Sequence, residues 1–339
     1  MNPIARRKLG TSALTVTQLG FGTAPLGGFR ARIPEPEAVA TIIAAYDAGL
    51  RFFDTSPYYG YGRAELRLGS ALRDLPRDDL VISTKIGRWM SPLRPGMDTA
   101  GLRQGGLNFI PHFDYSYDGV MRSLEQSWLR LGMARIDVVF IHDVDFRTVG
   151  DHAILESRFA QVVDDGFRAL DELRRAGIIG AIGVGLNEAD MSARFVRAID
   201  LDCVLLAGRY TLLEQAALDD FMPLCVERSV GVVIGGPFNS GILATGAVPG
   251  AKYDYADPTQ AVIDRVNRIA AICARHRVPM AAAALQFPLA HPAVASVIPG
   301  AMNRAEINQN LGLFAHDIPP ALWAELRQDG LLDPRAPVP

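Results

Sequence analysis

Cysteine is scarce in this chain of 339 residues: Cys203, Cys225 and Cys273 are the three present. They are odd in number, far apart and set in apolar surroundings. That pattern argues against a disulfide framework or a zinc site and for reduced thiols in a cytoplasmic protein. Long hydrophobic runs are missing too, since no segment reaches the ~20 apolar residues of a membrane span. Met-Asn-Pro-Ile-Ala-Arg-Arg-Lys at the start has no apolar run behind its charges and does not read as a secretory signal. The formal net charge of −3 offers no basic field for nucleic acid or an anionic membrane. No His, Cys or carboxylate cluster has metal-ligand spacing, and no Gly-x-Ser-x-Gly elbow occurs. Dinucleotide and phosphate fingerprints are incomplete. Gly20-Phe21-Gly22-Thr23-Ala24-Pro25 and Gly183-Val184-Gly185-Leu186-Asn187-Glu188 both lack a third glycine, and there is no Gly-Lys-Ser/Thr ending. No internal repeat of about 20–50 residues is found.

What is present is a large apolar fraction, 49% against 21% charged, in the range of a globular chain with a substantial core. Residues Arg7–Thr17 read as a hairpin turning near Gly10-Thr11-Ser12, and Leu19–Thr23 as a strand. Val39, Ile42, Ile43 and Tyr46 fall on one helical face, with Gly49 at the C-cap position. Strands are then expected at Arg51–Thr55, Leu80–Lys85, Asp137–His142, Ala181–Gly185, Cys203–Ala207, Gly231–Gly235 and Ala295–Ile298. Helical stripes lie between them: Glu65–Leu72, Val120/Leu124/Trp128/Leu131, Val163/Phe167/Leu170/Leu173, Ala189–Ile199, Leu218–Val226, Val262/Val266/Ile269/Ile272 with Met280–Leu289, and Arg304–Leu313. Two stretches read as irregular: Ile86–Tyr115, whose aromatics suggest a folded lid, and the Gly/Pro-rich Gly236–Pro258. Pro319–Leu332 is expected as an appended helix and Asp333–Pro339 as a loose tail. Eight strands alternating with helices, without a break in composition, predict an α/β fold. It is one (β/α)8 TIM barrel over residues 1–339, with an N-terminal hairpin and a C-terminal helix.

Three of these strands end in an ionisable residue. Arg51-Phe52-Phe53 runs into Asp54, with Tyr59 five residues on; Val81–Thr84 runs into Lys85; Val138–Ile141 runs into His142. In a parallel barrel all such ends meet at one face, where active sites form. Singly, each residue has a structural reading, such as a capping Asp, a packing Tyr, a mouth ion pair or a strand-capping His. Together they resemble the catalytic tetrad of the aldo-keto reductases. The resemblance runs from Leu19-Gly20-Phe21-Gly22-Thr23 to Ile298-Pro299-Gly300 and Asn310. Gly22–Gly28 and Pro237–Leu243 look similar to the aldose 1-dehydrogenase branch, which includes L-fucose, L-galactose and D-threo-aldose dehydrogenases and a pyridoxal 4-dehydrogenase.

That resemblance implies hydride transfer with a nicotinamide cofactor, Tyr59 carrying the proton. Lys85 would draw the phenol toward phenolate, Asp54 would hold Lys85, and His142 would orient the substrate oxygen. Barrels commonly hold phosphate on the loops after their last two strands, here Gly236–Leu243 and Pro299–Asn310. Gly236, Phe238, Ser240 and Gly241 could cradle a pyrophosphate, although the same glycines would serve a plain turn. By resemblance, Gly22 and Thr23 lie near the nicotinamide ribose and Asn187 near the carboxamide. Gly185, Ala207 and Gly235 stand where many relatives carry Ser, Gln and a stacking aromatic. Gly300 and Glu306 occupy positions that are Lys and Arg in NADP-using relatives, so NAD is expected over NADP, with Gln309 and Asn310 for the adenine and Arg304 as the contrary cation. The branch implies oxidation of an aldose at its anomeric carbon to a lactone, ahead of pyridoxal, which also exists as an internal hemiacetal. Tyr58, Trp89, His142 and Asp143 are the candidate substrate contacts. The expected partner is a small molecule, with no nucleic acid, membrane or resident metal. A non-catalytic nicotinamide-binding protein on the same fold is the alternative of another class.

Overall fold

The computed structural model describes residues 1–29, 31–99 and 102–339. The chain opens with the antiparallel strands β1 (Arg6–Lys8) and β2 (Thr15–Thr17), which pair Arg7 with Val16. Strands β3 (Phe21–Gly22), β4 (Phe52–Asp54) and β5 (Val81–Ile86) follow. A second antiparallel pair, β6 (Arg88–Pro92) and β7 (Phe109–Phe113), interrupts them. The series resumes with β8 (Ile136–His142), β9 (Ile179–Leu186), β10 (Cys203–Ala207), β11 (Gly231–Gly235) and β12 (Val294–Ile298). Eight strands pair in parallel in the order β3-β4-β5-β8-β9-β10-β11-β12. The sheet closes on itself where Gly22 N–H donates to Pro299 O (3.1 Å) and Val297 N–H to Gln18 O (2.8 Å). This is the expected TIM barrel with helices outside, Glu35–Asp47 the first and Arg304–Ala315 the one after β12.

Alternation along the strands sorts the core into two sets. Phe52, Val81, Val138, Phe140, Ala181, Cys203, Leu205 and Val233 share the barrel interior with Leu9 and Val16 of the hairpin. Their neighbours Phe53, Ile82, Val139, Ile141, Ile182, Val184, Val204, Leu206, Val232 and Ile234 pack outward against the helices. The hairpin is tied down by the Arg7 guanidinium, which donates to Leu289 O (2.7 Å) and Val294 O (2.9 Å). Continuing the inward register in steps of two residues reaches Asp54, Lys85, His142, Gly185, Ala207 and Gly235. One half of the mouth therefore carries ionisable side chains and the other half almost none.

Four sequence expectations need correction. The stretch Ile86–Tyr115 is not wholly irregular: Arg88–Pro92 and Phe109–Phe113 pair from Arg88–Phe113 to Pro92–Phe109, and residues 100 and 101 lie outside the described residues. The first strand is shorter than expected, since only Phe21 and Gly22 enter its ladder with β4. The helical stripe starting at Val163 is shifted. A single π-helical turn over Val162–Gly166 joins His152–Gln161 to Phe167–Arg175, and it buries Val162 instead. The C-terminal tail is not loose, because Leu331, Leu332 and Ala336 are buried. It is tied by Asp333 N–H to Gln215 Oε1 (2.8 Å) and by an Arg335–Asp219 ion pair (2.6 Å).

Candidate active site

Asp54 and Lys85 end adjacent strands with their side chains inside the barrel. Lys85 Nζ donates to both Asp54 oxygens, at 2.8 and 2.7 Å, and to Thr55 O at 2.8 Å. Asp54 also accepts from Ser83 Oγ (2.8 Å). Both partners are almost fully buried. Burial raises the Asp54 carboxyl and lowers the Lys85 ammonium, and each is drawn back by the charge of the other.

Tyr59 follows β4 on a loop held by a close backbone approach. Gly60 has φ +68°, and a Cβ there would stand 2.1 Å from Gly27 O, so only glycine lets the two loops meet. This meeting sets the Tyr59 ring 4.7 Å from Lys85 Nζ and 6.0 Å, edge to face, from the His142 ring. The phenol is pushed well above its usual range by burial, then by Asp54 and Asp143. In the free protein, burial and the two carboxylates thus outweigh the expected pull of Lys85 toward phenolate. The His142 imidazole is held well below its usual range by burial, then by Lys85 and Arg88, and is neutral at neutral pH.

Sequence reasoning missed Arg88. It is 4% exposed and pairs with Asp143 Oδ2 at 2.8 Å. Its guanidinium lies 4.3 Å from the Tyr58 ring centroid and 4.2 Å from that of Phe113. The available signal was a cation three residues after Lys85, in what reads as a lid. Asp143 itself has φ +58°, a strained conformation for a residue with a side chain. Tyr58 joins Phe29 and Tyr61 in an edge-to-face aromatic cluster beside this pair. Trp89 is not brought to the site. Strand alternation turns it from Arg88's face, where it stacks on His112 at 4.2 Å and meets the Arg122 guanidinium at 4.7 Å.

The residues expected around a cofactor line the other half of the mouth. A Cβ on Gly185 would sit 3.7 Å from Lys85 Cε and 3.8 Å from His142 Cδ2, and one on Gly235 would sit 3.0 Å from Leu205 Cδ2. Glycine at these two positions keeps side-chain atoms away from Lys85 and His142 on one side and from Leu205 and Ala207 on the other. Thr23 is buried and donates through Oγ1 to Asp54 O (2.9 Å), tying that side to the cluster. Asn187 Nδ2 donates to Asp145 Oδ2 (3.1 Å). The loop after β11 has left-handed backbone at Gly236, Asn239, Ser240 and Gly241 in turn, and a Cβ on Gly241 would meet nothing within 4 Å. Phe238 is half-buried against the outer core, and Ser240 Oγ accepts from Tyr255 N–H (2.9 Å). Asp254, beside Tyr255, accepts from Arg209 at 3.0 and 2.9 Å, which ties this loop to the chain just after β10. Glu306 is engaged locally, accepting from Met302 N–H (2.9 Å) and Asn303 Nδ2 (3.1 Å). Asn310 is buried, whereas Gln309 and Arg304 are exposed. Small residues beside the tetrad and an open, glycine-containing loop fit a nicotinamide dinucleotide. Among the described residues no group of three or more His, Cys, Asp or Glu could hold a metal, and no helix is long and apolar enough to cross a membrane.

Comparison with known proteins bears on the same point. The model of the Aldo/keto reductase family matches residues 18–328. The chain belongs to the aldo/keto reductase family. It is 46% identical over 336 residues to a pyridoxal 4-dehydrogenase of Microbacterium luteolum, covering 96% of this chain and 98% of that one. A D-threo-aldose 1-dehydrogenase of Pseudomonas is 39% identical over 327 residues, covering 95% and 96%. An aldo-keto reductase from Bacillus halodurans, solved in holo form, superposes with a TM-score of 0.75 at 24% identity, with 97% of each chain covered. That last likeness speaks for the fold alone. This aldo/keto reductase is an oxidoreductase of the aldose dehydrogenase branch, and enzymes of that kind use nicotinamide cofactors on small-molecule substrates.

Proposed function

We propose that this enzyme is an NAD-dependent dehydrogenase that oxidises a cyclic hemiacetal to its lactone. The observation that carries the reading is the Asp54–Lys85–Tyr59–His142 cluster at the barrel mouth. Bound there, the nicotinamide would accept hydride from the hemiacetal carbon. Tyr59 would take the hydroxyl proton, with Asp54 and Lys85 fixing its surroundings and His142 donating a hydrogen bond to the substrate oxygen. The 46% identical relative, 98% covered, and the Phe29–Tyr58–Tyr61 aromatic wall favour pyridoxal, a flat ring, as the first substrate. An aldose comes second, on the 39% relative, which reverses the order expected from sequence.

For the cofactor, Gly22, Thr23 and Asn187 are assigned to the nicotinamide end, and Gly236, Phe238, Ser240 and Gly241 to the pyrophosphate. Gly300, Glu306, Gln309 and Asn310 are assigned to the adenosine end. A side chain at Gly300 would collide with Pro25 at 2.6 Å, so no lysine reaches a 2′-phosphate from there. The Glu306 carboxylate adds negative charge where such a phosphate would lie. Tyr58 and Asp143 remain the assigned substrate contacts. We read residues 1–339 as one domain, because elements of this barrel run from Arg6 to Gln328. The three free, buried cysteines suit a cytoplasmic enzyme.

The test is NADH formation with pyridoxal, L-fucose, L-galactose and D-arabinose, repeated with NADP⁺. Lactone formed from pyridoxal, with higher kcat/KM for NAD⁺ and partial relief of that preference in Glu306→Arg, is the expected result. Silence on all four substrates with NAD⁺ still bound would move the protein to the non-catalytic reading.

A further inference from the structure

We infer that Arg88 sets the tautomer of His142, holding the imidazole neutral with its proton on Nε2. The inference rests on His142 belonging to the reaction site, but it concerns the free protein and does not depend on which substrate is used. His142 Nδ1 has two polar neighbours, Ser56 Oγ at 3.3 Å and Arg88 NH1 at 3.4 Å. A guanidinium only donates. Ser56 Oγ already accepts the Tyr58 N–H (3.1 Å), so its own hydrogen is free for the ring. A proton on Nδ1 would face the Arg88 N–H, donor against donor, so Nδ1 must present its lone pair. The single ring proton then sits on Nε2, which lies 3.3 Å from Asp143 Oδ1, an acceptor. The other Asp143 oxygen takes the Arg88 ion pair at 2.8 Å. One carboxylate thus stands beside the guanidinium and the imidazole at once, from a residue with left-handed backbone.

Arg88 is in turn fixed for this task. It is packed against the Tyr58 and Phe113 ring faces, and its carbonyl accepts from Ser123 Oγ (3.0 Å). The titratable and charged groups around His142 are Lys85 and Asp54 from β5 and β4, Tyr59 from the loop after β4, Arg88 from β6, Tyr115 beyond β7, and Asp143 beside it. Tyr115 donates its hydroxyl to His142 O (2.7 Å). Of these, only Arg88 places a permanent donor on Nδ1. Arg88 is a positioning residue: it reaches the chemistry through His142, which it presents as a donor, and it adds to the burial and the Lys85 charge that keep the ring from becoming an imidazolium.

The test is a long-range 15N–1H correlation spectrum of the full-length protein labelled on histidine, with His142→Gln identifying the ring signals. A neutral ring with pyrrole-type Nε2 and pyridine-type Nδ1 is expected throughout the neutral range. Arg88→Met removes the donor and leaves Asp143 uncompensated beside Nε2. It should raise the pH at which His142 gains a second proton, moving the acid limb of kcat/KM upward by about 1–2 pH units. Adding Asp143→Asn to Arg88→Met removes the uncompensated charge and should return the limb toward that of the parent. A parent spectrum with the proton on Nδ1 overturns the inference, and so does an Arg88→Met protein whose ring signals and acid limb are unchanged. Should Arg88→Met fail to fold, the parent spectrum decides. Inactivity on every substrate would instead count against the proposed reaction and leave the tautomer result standing.

Discussion

At the residue scale the site turns on one phenol. Tyr59 is set among Lys85, Asp54 and His142, and burial with two carboxylates keeps its proton on at neutral pH. Replacing Tyr59 by Phe keeps the ring and removes that proton. Turnover should fall by at least ~100-fold, the scale of a positioned acid or base, while NAD⁺ titration by fluorescence should show binding retained; near-parental turnover would remove Tyr59 from its role. The same shift gives a pH dependence with a definite sign. Oxidation needs the deprotonated phenol, so its kcat/KM should climb as pH rises into the alkaline range, whereas reduction uses the protonated form and should decline there. Measuring both directions across that range checks it, and an oxidation rate flat above neutrality would contradict the raised phenol. The tetrad was legible in the sequence because its members end strands. Arg88 was not, because its role depends on a hairpin that sets its side chain against His142 and Asp143.

Among the elements, the helix Arg63–Leu72 shows how loops at the mouth are fixed from outside it. Arg67 is 2% exposed, and its guanidinium donates to Leu26 O (2.5 Å) and Ile33 O (2.7 Å) while pairing with the exposed Glu35 (2.8 Å). The loop after β3, which meets the Tyr59 loop at Gly27, is therefore tied to this helix. Arg67→Met would leave two buried carbonyls without partners, at about 1–3 kcal/mol each. The variant should unfold at clearly lower urea concentration with an unchanged slope; a midpoint equal to that of the parent would show that water or a neighbour satisfies those carbonyls. The alternation of strands and helices was readable from period-two and helical spacing. The hairpin of β6 and β7 was not, because Gly and Pro around it read as irregular chain. The π-helical turn was likewise hidden, since one extra residue per turn only shifts which apolar residue faces inward.

At the scale of the whole molecule, barrel closure and the C-terminal tail are the features with a measurable stability effect. Leu331 and Leu332 are buried at the end of the chain, and the tail returns Ala336 O to the Arg327 guanidinium (2.5 Å). Burying a leucine contributes about 1.5–3 kcal/mol, so deleting residues 331–339 should lower the melting temperature by several degrees. The tail is held by Gln215, Asp219 and Arg327 and not by a tetrad residue, so kcat at low temperature should hold. An unchanged melting temperature would mean that the tail is stabilised by the barrel without stabilising it in return.

By itself the sequence determined the barrel, its N-terminal hairpin and the three ionisable strand ends, because these depend on local periodicity and on where apolar runs stop. Those are properties of neighbouring residues. Only the tertiary structure decided that Trp89 faces away while Arg88 faces in, that Glu306 is engaged by its own helix start, and that the phenol of Tyr59 is raised instead of lowered. Each of these depends on contacts between residues distant in the chain, or on the net field of several buried charges. Neither quantity is carried by spacing along the sequence.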